Sequence, residues 1–268
     1  MGNKKLARVN RSADATTAPD ALVKGLFETI ERELIPRLLL AHRARARSDS
    51  RDGRPLPSSD EIASLAALAL AQDVAGGLES VATVLKEGLS LESVLLHFIA
   101  PAARLLGDYW EADRNTYTEV TAGMTALQAV VRTLGAKVAP SVIPTRGQVL
   151  LTTAPGEQHT LGLSMFHELL VKAGWSVELA PGLGHAEIVE AVSNGEVEMV
   201  GFTVSNPRLL EPLAQVVAAI KKQSLLPSVL VLVGGSVDLS EFAEANDVTV
   251  LTDLLAAVAA LDTHVENR

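Results

Sequence analysis

Gln148-Val-Leu-Leu-Thr-Thr-Ala-Pro-Gly156-Glu-Gln-His159-Thr-Leu-Gly162 is the stretch on which the fold of this chain turns. It opens with an apolar, β-prone run, breaks at Pro155-Gly156, and passes through a polar loop into a strongly apolar segment with helical spacing. Strand, loop, helix is the start of a β-α unit. Outward from it the same alternation repeats. Strands are predicted at 148–152, 176–179, 199–204, 229–233 and 248–251, with helices at about 160–173, 185–194, 208–223, 238–245 and 252–261. Strict alternation implies a parallel sheet with helices on both faces. The strands are continuously apolar, as a sheet buried on both sides requires. The prediction is a Rossmann-like, doubly wound, five-stranded parallel sheet.

On the other side of the stretch the pattern changes. Residues 136–147, with Pro140 and Pro144, read as a linker. Before it the spacing is helical. Leu22, Leu26, Phe27, Ile30, Leu34 and Leu38 mark a helix from Ala21, kinked or ended at Pro36. Ala44–Pro57 reads as a loop, and Ser58 with Glu61 forms a capping box that starts the next helix. Gly76-Gly77 and Gly88 read as breaks, followed by helices at 78–87, 91–109 and 116–135. The expected organisation is a disordered tail at 1–20, a helical bundle at 21–136 and the α/β domain at 147–268, an α + α/β protein.

Composition excludes several classes. The chain has no cysteine, which rules out disulfides and thiolate metal sites and suits a reducing cytoplasm. No apolar run is long enough to cross a membrane. Residues 1–54 hold 12 Lys and Arg against 7 Asp and Glu, whereas the remainder holds 11 against 25. An acidic body is a poor partner for DNA phosphates. The basic segment reads as a solvated loop or as a surface for an acidic protein or nucleic acid. No helix-turn-helix segment is evident, so direct sequence-specific DNA binding is not expected.

Open α/β sheets bind ligands beyond the carboxyl ends of their strands. Three segments converge there: Glu157-Gln158-His159 with Gly162 after the first strand, Thr203-Val204-Ser205 after the third, and Gly234-Gly235 after the fourth. The glycines let a large flat ligand approach the backbone. This set resembles the cobalamin-binding domains of the methionine synthase type, which carry D-x-H-x-x-G, then S-x-L, then G-G. The intervals here, 40 residues between Gly162 and Thr203 and 28 between Ser205 and Gly234, are close to those of that family. The resemblance implies cobalamin as cofactor, with His159 as the lower ligand of its cobalt. The other motif segments would line the channel that takes the cofactor's nucleotide. A neutral imidazole suits such a metal, and a carboxylate on its other nitrogen orients it. Two positions depart from the pattern. Glu157 replaces Asp and is one methylene longer, and Ser205 replaces an apolar Leu.

The helical part adds to the likeness. Pro101–Asp113 with Tyr117–Thr121 resembles the four-helix cap that precedes cobalamin domains in methyltransferases and light-sensing regulators. Trp110 would cover the upper corrin face. Its alternative is a half-buried core tryptophan at a helix end. Glu111 and Glu119-Val120-Thr121 stand where adenosylcobalamin photoreceptors have histidines, so no histidine reaches the upper site by that route. His97 is expected in the bundle core or on its surface. Together with Leu34-Ile-Pro-Arg-Leu-Leu, these segments are most similar to the AerR/PpaA antirepressors of photosynthesis genes, over about residues 21–262. The resemblance implies a non-enzymatic, light-responsive regulator that binds a repressor protein, although some relatives are linked to haem. The upper ligand, whether adenosyl, methyl or hydroxo, stays open. The rival is a corrinoid carrier protein of a methyltransferase system.

Other readings fail on particular residues. A receiver domain needs acidic residues at the end of its first strand, where Thr152-Thr153-Ala154-Pro155 stands. The first turn lacks G-x-G-x-x-G, and His167-Glu168 lacks the second histidine of a zinc hydrolase helix.

Overall fold

Helix α1 (Ser59–Leu70) begins where the capping box places it. The Ser58 hydroxyl accepts from the Glu61 N–H, and the Glu61 carboxylate accepts from the Ser58 N–H at 2.8 Å. Such a cap contributes about 1 kcal/mol. Arg54 reinforces the entry by pairing with both Glu61 and Glu87. The computed structural model describes residues 54–138, 146–193, 196–223 and 229–251. The tail, the helix expected from Ala21, most of the basic segment and the helix expected at 252–261 lie outside the described residues.

Helix α2 (Val74–Lys86) corrects the reading of Gly76-Gly77 as a break. Both glycines lie inside the helix, which starts at an Asp73 cap whose carboxylate accepts from the Gly76 N–H at 2.9 Å. The reason is packing: a Cβ on Gly77 would stand 3.0 Å from Cγ2 of Val130. Small size at a helix crossing outweighs the helix-breaking tendency of glycine.

The rod expected at 91–109 is continuous but carries a π-turn. It runs as α3 (Leu91–Val94), the π-turn Leu95–Ile99 and α4 (Ala100–Glu111). Ala100 donates to Leu95 O, five residues back, and the next residue, Pro101, has no N–H to donate. His97 is exposed on this rod. Helix α5 (Tyr117–Val138) then returns along it.

The second half alternates as expected. β1 (Gln148–Thr153), α6 (Leu161–Lys172), β2 (Ser176–Leu179), α7 (His185–Ser193) and β3 (Val197–Val204) come first. A short 3-10 turn at Pro207–Leu209, α8 (Leu210–Gln223), β4 (Leu230–Gly235), α9 (Ser240–Asn246) and β5 (Thr249–Leu251) complete it. All five strands are parallel, in the order β2-β1-β3-β4-β5. β1 and β3 are adjacent at the centre, and the connections leave them in opposite directions. Their carboxyl ends therefore form the crevice where such sheets bind ligands.

Helix α6 is buried on two sides. Leu161, Met165 and Leu169 belong to the bundle core with Val130, Val131 and Leu134. Leu163, Phe166 and Leu170 pack on the sheet with Val149, Leu151 and Met199. Spacing of three and four residues puts each set on its own stripe. At this seam Glu168 is buried against α5, and a Cβ on Gly135 would collide with its carboxylate. Lys172 reaches across to Glu92 at 2.7 Å.

Candidate functional site

Chain reversal after β1 creates the site. Ala154 N–H donates to Thr203 O, tying the end of β1 to β3, and Glu157 N–H donates back to Ala154 O. Gly156 takes φ +89, a left-handed conformation that glycine adopts without a side-chain clash. The turn throws Glu157 inward, to 7% exposure, while the His159 side chain is 76% exposed.

Glu157 collects five donors. Its Oε1 accepts from the backbone N–H of Gln158 at 2.8 Å and of His159 at 2.9 Å, and lies 2.6 Å from His159 Nδ1. Its Oε2 accepts from the Ser205 N–H at 2.5 Å and the Ser205 hydroxyl at 2.7 Å. Burial pushes this carboxyl up, but the bonds from Ser205 and His159 outweigh it and hold its pKa at about 2. An ionised carboxylate can only accept, so the proton between it and His159 sits on Nδ1. The single Ser205 hydroxyl proton goes to Glu157, and Ser205 Oγ, 2.8 Å from Nδ1, shares the Nδ1–H. This fixes the tautomer of the neutral ring and leaves the Nε2 lone pair free of a proton.

The extra methylene of Glu157 thus does not cost the bond to the histidine. Ser205, read in sequence as a lost apolar contact, is the residue that seats the carboxylate. No sequence signal marked that role, because the contact spans 48 residues.

The other expected residues fall into two groups. Thr203 pairs with Thr153 on one side and Gly234 on the other, so the three motif segments meet at one edge of the sheet. Gln158 contributes its backbone N–H, and its side chain is exposed. Gly162 has nothing within 4 Å of where a Cβ would stand, so the space beside it is open. Gly235 differs. A Cβ there would collide with the Val204 carbonyl, so strand pairing itself requires this glycine. Trp110 stands on another element, the end of α4, where it is 50% exposed and touches Tyr117. Glu119 is committed to capping α5: it accepts from the Thr116 N–H at 2.7 Å, and the Thr116 bonds hold its carboxyl below its ordinary range.

The donor set fits a corrinoid. One oriented imidazole offers one nitrogen, the single protein ligand needed by a metal that brings an equatorial ring of its own. Among the described residues no group of three His, Asp or Glu could hold a bare metal ion, and no helix is long and apolar enough to cross a membrane.

The fold and the site define a cobalamin-binding protein. Residues 147–261 match the model of the B12 binding domain family, and cobalamin is the cofactor. The chain is 33% identical over 159 residues to the Rhodobacter capsulatus 20.5 kDa protein in the bchF-crtJ intergenic region. That match spans 58% of this chain and 81% of its relative, and the chain belongs to the same family. Among solved structures, the Methanosarcina barkeri monomethylamine corrinoid protein superposes with a TM-score of 0.65 at 18% identity. The superposition covers 77% of this chain and 100% of that one, and it shows a common fold.

Proposed function

We propose that this chain is a cobalamin-dependent, light-responsive regulator that works in the cytoplasm by binding a transcriptional repressor. Kinship with the Rhodobacter protein, whose name points to a photosynthesis-gene context, carries the reading. His159 is the lower ligand through Nε2, with Glu157 and Ser205 holding Nδ1–H. Gln158, Gly162, Thr203, Gly234 and Gly235 border the cofactor, and Trp110 covers its upper face. Bound cobalamin supplies an upper bond that light or a competing ligand exchanges.

Helix α6 gives the chain a way to use that exchange. It begins two residues beyond His159 and is built into both cores. Strain at the histidine loop therefore reaches the bundle through one rigid element. The cofactor can bias the bundle only by its differential affinity for two arrangements.

The test is a titration of the cognate repressor against apo, dark holo and illuminated holo protein. Repressor affinity that changes between dark and light supports the reading. Equal affinity in all three states, with methyl transfer to a corrinoid-dependent acceptor, makes the chain a carrier protein instead, a role that the shared fold also suits.

A further inference from the structure

We propose that Gln128, in the middle of α5, is a positioning residue for the cobalt ligand. Through Thr160 it ties the histidine loop to the bundle and so sets how firmly His159 holds the metal. The proposal rests on the cobalamin reading and gives the lower ligand a support in the other half of the chain.

Thr160 occupies the N-cap position of α6, yet its side chain caps none of the N–H groups of the first turn. A threonine hydroxyl at that position ordinarily accepts from its own helix. Here Gln128 takes it instead, donating from Nε2 at 2.7 Å across 32 residues of chain. The Thr160 carbonyl keeps its helical role. It accepts from the Ser164 N–H at 2.9 Å and from the Ser164 hydroxyl at 3.1 Å. The hydroxyl thus joins two elements in place of finishing one.

The consequence falls on His159. On one side of it the Glu157 carboxylate is bridged to Ser205, and on the other Thr160 is bridged to α5. Between these anchors lie Gln158 and His159, both exposed. The first anchor orients the imidazole ring, and the second fixes the backbone that carries it. A ligand has to be held to within about 0.5 Å of its productive place, so a neighbour one residue away matters. Gln128 is itself well supported. It is half-buried, and Leu127, Val130 and Val131 beside it belong to the bundle core. At the far end of α6, Lys172 pairs with Glu92 at 2.7 Å. The bundle therefore grips this helix at both ends, and the grip at its start adjoins the ligand. Such coupling is reciprocal: what the bundle does to histidine ligation, ligation does to the bundle by the same factor.

The experiment uses the full chain with hydroxocobalamin, in wild type, Gln128→Met, Thr160→Ala and Thr160→Ser, each repeated in a His159→Ala background. Equilibrium dialysis gives the affinity. Electron paramagnetic resonance after reduction to cob(II)alamin detects the axial histidine nitrogen. Gln128→Met keeps the bulk of the side chain. Should it fail to fold, Thr160→Ala breaks the same bond from the other side and removes no cap. Each of the two should weaken binding about 2- to 10-fold, the range of one neutral hydrogen bond, and lower the share of histidine-ligated signal. Thr160→Ser keeps the hydroxyl and should behave as wild type. In the His159→Ala background the same substitutions should leave the affinity unchanged. Losses of equal size with and without His159 would overturn the proposal, because Gln128 would then act on packing and not on the ligand. Wild-type affinity and signal in both Gln128→Met and Thr160→Ala would overturn it too. Absence of the histidine signal in wild type removes the underlying reading instead.

Discussion

Ser205 closes on Glu157 with two donors at once, its backbone N–H at 2.5 Å and its hydroxyl at 2.7 Å. The contact joins the segments that leave β1 and β3, so it bridges the crevice of the sheet. The histidine is held by this bridge and not by its own loop alone. Ser205→Ala and Glu157→Gln should each weaken cobalamin binding by about 10- to 100-fold. The double variant should be little worse than the weaker single, because both act through one carboxylate. Fully additive losses in a spectroscopic titration would show that the two residues act separately.

His159→Ala should abolish the histidine-ligated cobalamin spectrum. The Glu157–Ser205 bridge stays in that variant, ready to accept from a ring N–H. Millimolar-range imidazole, on the order of a weak ligand's dissociation constant, should therefore restore the spectrum. It should restore less when Glu157→Gln is added. Lack of any rescue would mean that the loop does not keep its shape without the side chain.

Glu157 also sets an acid limit on the apo protein. Its pKa is about 2 when folded, against an ordinary 4.5. A depressed carboxyl favours the folded state above the unfolded value, and the contribution fades as pH falls from about 4.5 to about 2. Denaturant midpoints of wild type should thus fall over that range. Glu157→Gln should start lower and lose less. Parallel curves for the two proteins would place the acid sensitivity elsewhere.

At the seam between bundle and sheet, Gly135→Ala should destabilise the wild type, since its Cβ would meet the buried Glu168 carboxylate. In a Glu168→Ala background the same change removes no contact and gains up to about 1 kcal/mol of helix propensity. Thermal unfolding should show the sign reverse between the two backgrounds. A loss of the same size in both would assign the need for glycine to the backbone.

The sheet was legible because its strands are continuous apolar runs between turn residues, and β1 through β4 fall within a few residues of their expected bounds. His159 was legible because it follows the first strand. What escaped was tertiary. Gly76-Gly77 looked like a break by local propensity, but Val130 on a helix far along the chain needs the space at Gly77. Ser205 looked like a weakened motif, and its partner is 48 residues away. Trp110 was read from its neighbours in sequence, whereas its ring contact, Tyr117, comes from the turn that reverses the chain.

The two stripes of α6 bear on where this protein can be divided. The B12 binding domain match begins at residue 147, yet Leu161, Met165 and Leu169 inside it belong to the bundle's core. A fragment cut at that border would carry an oily seam into water, with three large side chains stripped of their neighbours. The border of the family match and the edge of the folding unit therefore do not coincide here.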